Sequence, residues 1–331
     1  MPFSHILGQD AALTTLTRAL ETNRVHHAYR FEGPDGTGKE MAAFALAQAL
    51  VCAGGDPLGC GRCDACRRAV TFSSERPHAP LHPDLRIIER GFYPPEILGQ
   101  RTEESKDISV HQIRAIVLAN AAFPPHEGRA RVFILRRAEE MSIGAANALL
   151  KTLEEPRQGT HFILLTSRPD RLLPTIRSRT LPVRFAPLPD AIVRGILTKH
   201  GVPDERQDLA LELAAGSASA ALALTDAEES AARDAFVGAA LAAVRAPTLG
   251  PALSLAESAD KDKELLRTHL RALAAVLARE ARTAATEPTP VAARTAARYE
   301  AVQQAIAQLD RNAAPTLAVA TMIAEMQRRA G

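Results

Sequence analysis

Two stretches of the chain hold residues whose types and spacing can do chemistry. The first is "GPDGTGKE", residues 33–40. It follows the phosphate-loop pattern G-x-x-x-x-G-K-[ST], in which backbone N–H groups cradle phosphates, the lysine reaches the β/γ oxygens and a final hydroxyl holds magnesium. Gly33, Gly36, Gly38 and Lys39 supply the cradle and the cation, but Glu40 stands where the hydroxyl belongs. A carboxylate there sets a negative charge against the phosphates. The spacing therefore predicts a degenerate loop to which ATP and magnesium do not bind tightly.

The second stretch holds Cys52, Cys60, Cys63 and Cys66, which are all the cysteines of the chain. Four soft thiolates at this spacing suit a closed, tetrahedral structural zinc with no position left for water. Tight Cys-x2-Cys runs also bind iron–sulfur clusters, so that alternative stays open on spacing alone. Nothing nearby suggests redox work, and a structural zinc is the expectation. Four unrelated buried cysteines would be a poor account of a chain that has none elsewhere.

These groups need elements to position them. "HHAYRFEG" (26–33) is a short apolar-aromatic run ending in glycine, and "KEMAAFALAQALVCAG" (39–54) has helical periodicity. Strand, loop and helix in that order are the context a phosphate loop requires. "DLRIIE", "ARVFILRR" (130–137) and "HFILLTS" (161–167) read as further strands, the last two each followed by helical sequence, which predicts a parallel α/β sheet. "SIGAANALLKTLEEP" (142–156) reads as a helix with Ser142 as cap and Pro156 as stop, and "DISVHQIRAIVLANAAF" (107–123) as another, capped by Asp107 or Ser109. The proline- and histidine-bearing stretch from Thr71 to Lys106 reads mostly as loop, and no element accounts for 90–106.

Composition bounds the rest. At 331 residues, 46% hydrophobic and 24% charged, the chain has room for two or three domains with their own cores. A net charge of +2 advertises no nucleic-acid-binding surface. The start "MPFSHILGQDAALTTLTRAL" lacks a basic segment followed by an apolar core, and no run approaches the roughly eighteen apolar residues of a membrane span. A cytoplasmic protein with no membrane partner is expected, and a reducing cytosol favours metal ligation over disulfides. After about residue 186 strand-like runs give way to alanine, leucine and arginine, broken at "APLPD" (186–190), "AAGSAS" (214–219), "APTLGP" (246–251) and "TEPTP" (286–290), which predicts an all-helical remainder.

Taken in order, "GQDAALTTLTRAL", "HHAYRFEGPDGTGKE", the cysteine cluster, "HPDL", "DISVHQIR", "NALLKTLEEP" and "TIRSRT" resemble the bacterial DNA polymerase III clamp-loader subunits, AAA+ proteins, and most of all the δ′ members. The motifs cover about the first 185 residues, with "NALLKTLEEP" the most specific. The resemblance implies a phosphate-loop AAA+ parallel sheet with an inserted zinc module (1–185, the module at 52–66), a small helical lid (186–213) and a helical collar for oligomerisation (214–331). It also implies a task, since such loaders use ATP to open a sliding clamp and close it on primed DNA. The implied partners are the γ/τ ATPase and δ subunits, with clamp and primer-template met through the assembly.

Departures from the family pattern bear on activity. Active subunits carry acidic residues after the strand that precedes "NALLKTLEEP", to hold magnesium and orient the attacking water; here Arg136 and Arg137 follow "VFIL". A sensor arginine expected near "GSASAAL" is Ala220. "TIRSRT" (175–180) resembles the Ser-Arg-Cys motif whose arginine reaches a neighbour's γ-phosphate, so Arg179 is implied as a catalytic residue acting in trans, beside Thr180 in place of cysteine. Non-hydrolysing δ′ behaviour is the reading these departures favour over a γ/τ-type ATPase or an unrelated phosphate-loop kinase. Without the family context, Arg179 is a structural surface arginine and Lys39 a lysine lying along a helix start. His26, His27, His82 and His111 form no ligand set. A free-standing zinc-bearing DNA-binding protein is the other class, with no tryptophan and little tyrosine for stacking on bases.

Overall fold

The apolar runs of the first half become strands because each is short, rich in β-branched or aromatic residues, and closed by glycine, proline or a charged turn. The structure, a computed structural model, describes residues 3–99, 107–127, 129–259, 262–284, 290–311 and 313–328. Strands β1 (Ala28–Glu32), β2 (Leu85–Ile88), β3 (Arg131–Leu135), β4 (Thr160–Thr166) and β5 (Leu181–Arg184) form a parallel sheet in the order β2-β3-β4-β1-β5. The register sets Ala28 against Phe162 and Arg131 against Thr160. Every strand therefore delivers its carboxyl end to the same edge, the edge at which open α/β sheets build their sites.

Side-chain alternation sends neighbouring residues of one strand into two different cores. Tyr29, Phe31, Val132, Ile134, Ile163 and Leu165 pack with helices α1 (Asp10–Glu21) and α2 (Lys39–Val51). Phe133, Leu135, Phe162 and Leu164 face the other way. There they meet Ile113 and Val117, which follow α4 (Val110–Gln112) and precede α5 (Ala119–Ala121), and Leu149 and Leu153 of α6 (Ile143–Glu154). Covering on both faces explains why the strands read as continuous apolar runs rather than alternating ones. Helix α3 (Asp64–Ala69) carries Cys66, and α7 (Pro174–Arg177) leads to β5.

The expected caps are present. Ser142 Oγ accepts from the Ala145 N–H at 3.1 Å, and Ser109 Oγ from the Gln112 N–H at 3.2 Å. The helix expected over 107–123 runs through a π-helical stretch at Ile113–Leu118, and β5 was not expected at all. The break expected at 286–290 falls outside the described residues except for Pro290, as do residues 100–106 of the 90–106 loop.

One buried ion pair ties the start of β3 to the sheet edge. Asp84, 1% exposed, accepts from Arg131 Nη2 at 2.9 Å and from the N–H groups of His126 and Glu127 at 2.6 and 2.8 Å. Burial pushes its carboxyl up, but these donors outweigh burial and hold it below the ordinary carboxylate value.

The chain divides into two compact units, Met1–Val193 with Gly216–Ser219, and Arg194–Ala215 with Ala220–Gly331. The sheet belongs to the first. In the second, all described elements are helices: part of α8 (Asp190–Lys199), α9 (Asp204–Ala214), most of α10 (Ala218–Thr225), α11 (Ala227–Arg245), α12 (Gly250–Ser258), α13 (Lys263–Ala284), α14 (Pro290–Asp310) and α15 (Pro315–Arg328). Leu266, Leu270, Leu273 and Leu277 recur at helical spacing along α13 and pack with Val302 and Leu309 of α14 and Val319, Met322 and Met326 of α15. Among the described residues, no helix is long and apolar enough to cross a membrane.

Candidate functional site

Strand β1 runs directly into the glycine loop, whose shape depends on glycine at two positions. Gly33 has φ +149°, and a Cβ on it would lie 2.1 Å from the Phe185 carbonyl oxygen. Gly36 has φ +72°, and a Cβ there would meet Ser219 Oγ at 2.2 Å. Gly38, also at positive φ, caps α2. Buried Gln9 fastens the loop from below, donating to Thr37 O at 3.1 Å and to Ala186 O at 2.7 Å. From the first unit's outlying segment, the Ala218 N–H donates to Gly36 O at 3.0 Å.

Lys39, 6% exposed, turns its ammonium into this loop. Nζ donates to Gly33 O at 2.5 Å, Pro34 O at 2.6 Å and Asp35 Oδ1 at 3.3 Å, which accounts for all three of its N–H groups. Burial pulls its pKa below the usual lysine value, and the charges of Asp35 and Glu139 pull it back up. The lysine thus serves as an internal tie of the cradle.

The carboxylate at the hydroxyl position has a partner. Arg136, the residue after β3, pairs through Nη2 with Glu40 Oε1 and donates through Nη1 to Glu89 Oε2 at 3.0 Å. Its backbone N–H extends the ladder to Ile88 O at 2.9 Å, which fixes where the side chain starts. Two positions that in a magnesium-using phosphate loop both approach the metal are here a cation and an anion bonded to each other. Arg137 is exposed, at φ +45°, and lies 3.7 Å from Glu140. Glu139 bridges to the end of β4, its Oε1 accepting from Ser167 Oγ at 3.1 Å. Ala220 lies in α10.

The four cysteines converge as the spacing predicts: their sulfurs lie within 4.8 Å of one another, with Cys60 and Cys66 at 4.0 Å. Tetrahedral zinc with Zn–S bonds of about 2.3 Å sets sulfurs roughly 3.8 Å apart, so this donor set fits a metal ion. The N–H groups of Gly54 and Cys60 donate to Cys52 Sγ, both at 3.3 Å, and that of Cys63 to Cys60 Sγ at 3.4 Å. Such bonds favour thiolate over thiol. Burial pushes the Cys63 thiol up, but bonds from the backbone of Cys66 and Ala53 outweigh it and leave about 6; burial pushes the Cys66 thiol up. The cluster is tied to the domain by Gln48 Nε2 donating to Cys66 O at 2.8 Å and Arg129 Nη1 to Cys52 O at 3.2 Å.

Arg179 sits apart from the loop, after α7. Nε donates to Glu154 Oε1 at 2.7 Å, Nη2 also contacts that oxygen, and Nη1 donates to Thr175 O at 3.0 Å and Ser178 Oγ at 3.1 Å. The guanidinium stays at the surface, with 31% of the side chain exposed.

Sequence reasoning treated Glu40 and Arg136 as two separate losses and missed that they pair. The signal was available, since both positions belong to one metal and carry opposite charge. It also missed Arg30, for which no motif speaks, and read Thr180 only as the residue standing where the related motif has cysteine.

A family model described as DNA polymerase III, delta subunit, matches residues 8–189. The DNA polymerase III subunit gamma/tau of Mycobacterium tuberculosis is 34% identical over 198 residues, 60% of this chain and 31% of that one. The DNA polymerase III subunit delta′ of Pseudomonas aeruginosa is 37% identical over 197 residues, 59% of this chain and 54% of that one. The chain therefore spans about a third to a half of the length of the curated relatives it matches. A solved DNA polymerase III gamma subunit-related protein of Thermotoga maritima aligns with a TM-score of 0.50 at 17% identity, over 96% of this chain and 98% of that one, a likeness of fold.

Proposed function

We propose, from the premise that the chain belongs to the DNA polymerase III delta-subunit family, that it is a δ′-type clamp-loader subunit: an AAA+ arm that does not hydrolyse ATP but completes a neighbour's ATP site. The observation that carries this reading is the Glu40–Arg136–Glu89 bridge. Phosphate-loop ATPases hold magnesium between the loop hydroxyl and an acid at a strand end, and magnesium neutralises charge on the transferring phosphoryl group. Here the guanidinium takes up the Glu40 carboxylate, and no acidic residue follows β3 directly to hold the metal or orient water. The degenerate loop of Gly33, Gly36, Gly38 and Lys39 then serves the fold, and ATP with magnesium is not held tightly.

Arg179 is the residue assigned to the neighbour. A guanidinium offered in trans stabilises charge on the γ-phosphate and in well-studied GTPases accelerates turnover by roughly 10³–10⁵. Its partial exposure and surface position support that use. Cys52, Cys60, Cys63 and Cys66 hold structural zinc as a closed cross-link, which supplies rigidity and no reaction chemistry. The helical segments act as a lid over 186–213 and a collar over 214–331, through which the γ/τ and δ subunits assemble in the cytoplasm. Clamp and primer-template are met through that assembly, by contacts to the DNA backbone that carry no sequence information.

The likeness to γ/τ chains favours a second reading, an ATP-hydrolysing subunit. Titration of labelled ATP and magnesium onto the purified chain separates the two. No micromolar binding and no turnover are expected; micromolar binding with turnover establishes the ATPase reading. In a loader reconstituted with γ/τ and δ, Arg179→Ala is expected to cut clamp- and DNA-stimulated hydrolysis at least a hundredfold with assembly intact.

A further inference from the structure

We propose that Arg30 and Thr180 are positioning residues for Arg179, a role that rests on the reading of Arg179 as an arginine given to a neighbour's ATP. Arg30 lies on β1 and is 6% exposed; Thr180 is 5% exposed. Arg30 Nη1 donates to Thr180 Oγ1 at 2.7 Å and to Arg177 O at 2.9 Å, while its Nε donates to Glu32 Oε1 at 2.5 Å. Thr180 Oγ1 in turn donates to Ile176 O at 2.9 Å, and the Arg179 N–H donates to Ile176 O at 3.1 Å. The backbone on both sides of Arg179 is thereby bolted to an interior strand of the sheet, and its side chain projects to the surface.

The choice of residue types argues for direction rather than for stability. Burying a guanidinium is costly, and apolar packing holds a short strand as well or better. What the planar guanidinium adds is a fixed angle between acceptors: with Nε held by Glu32, the two N–H groups of Nη1 meet Arg177 O and Thr180 Oγ1 together, on either side of the residue that must point outward. Thr180 also gives a reason for threonine where the related motif has cysteine, because a hydroxyl both accepts from Arg30 and donates to Ile176 O, whereas a thiol does each weakly. An arginine that must meet a phosphate on another subunit needs this placement, since an error of about 1 Å in a catalytic contact can cost on the order of a hundredfold in rate. Strand β1 also runs straight into Gly33, so the loop and the donated arginine are set by one strand.

The test is clamp- and DNA-stimulated ATP hydrolysis by the reconstituted loader, with assembly confirmed by sedimentation. Thr180→Val is expected to lower kcat about 3- to 10-fold with KM for ATP unchanged, and Thr180→Ser to restore the native rate. Arg30→Lys, which keeps the charge but loses the fork, is expected to lower kcat similarly and decides the matter if Thr180→Val does not assemble. Thr180→Val in an Arg179→Ala background is expected to slow the enzyme no further. A native kcat for Thr180→Val beside a slow Arg179→Ala overturns the positioning role and leaves the arginine reading intact. Additive loss in the double variant overturns it as well, because a merely structural defect adds. A native rate for Arg179→Ala removes both together.

Discussion

Reversing the charge exchange at the phosphate loop, with Glu40→Thr and Arg136→Asp together, is expected to create tight, magnesium-dependent ATP binding, which the reading proposed above denies to the native chain. The Glu40 side chain is 49% exposed and that of Arg136 23%. Two like unit charges on the order of 6 Å apart repel by about 0.7 kcal/mol in water and about 3 kcal/mol at an effective dielectric of 20. Half-exposure places Glu40 nearer the lower figure, so Glu40→Thr alone is worth about 1 kcal/mol, a roughly fivefold gain in ATP affinity at low salt. Arg136→Asp alone has the opposite sign, since it removes the cation shared by Glu40 and Glu89 and adds a third carboxylate. Only together do the two changes supply a hydroxyl and an acid to one metal, and the pair is expected to bind ATP at least about tenfold more tightly in magnesium than in EDTA. Titration of a fluorescent ATP analogue onto the four forms, with and without magnesium, measures this. Equal affinity of the double variant in magnesium and EDTA would refute the idea that the ion bridge displaces the metal.

Three further outcomes are expected. Metal analysis of protein purified without chelator should find about one zinc per chain and no iron, and Cys63→Ser should lose the metal and open 52–66 to proteolysis; iron with visible absorption would instead establish a cluster. Asp84→Asn, which leaves Arg131 buried without its counter-charge, should destabilise the chain by about 3 kcal/mol in urea unfolding, and a loss under 1 kcal/mol would count against the pair as an anchor. Stability should fall with pH in two stages. Burial lowers the pKa of His82 and of His161, so the unfolded chain binds protons that the folded chain refuses and stability declines as pH drops through about 6.5. Asp84 is held below its ordinary value, so its contribution is present above about pH 4 and disappears as pH falls through the lowered value. Urea midpoints from pH 7 to pH 3 read both stages, and a flat profile would contradict them.

What the sequence revealed depended on whether the cause was local. The glycines of 33–38, the Ser142 cap and the four cysteines act within a few residues of themselves, and each could be read directly. Strand β5, "LPVR", escaped notice because a proline and outward-facing polar positions are tolerated only at a sheet edge, and nothing in the sequence says which strand is the edge. The Glu40–Arg136 pair joins residues 96 positions apart, and Arg30 and Thr180 are 150 apart. Strand order creates those neighbours: opposite charge at two positions of one metal hinted at the first pair, and the second became visible only with the fold.

The three bonds of Lys39 bear on how such loops are counted. A lysine whose ammonium bonds its own loop serves the fold whether or not any phosphate arrives, because its removal takes the donor from the backbone carbonyls of Gly33 and Pro34. The same holds for a glycine with no room for a Cβ. The glycine and lysine letters of this loop therefore report its architecture, and the residues that would touch a metal, Glu40 and Arg136, are the ones that bear on whether it can support a reaction.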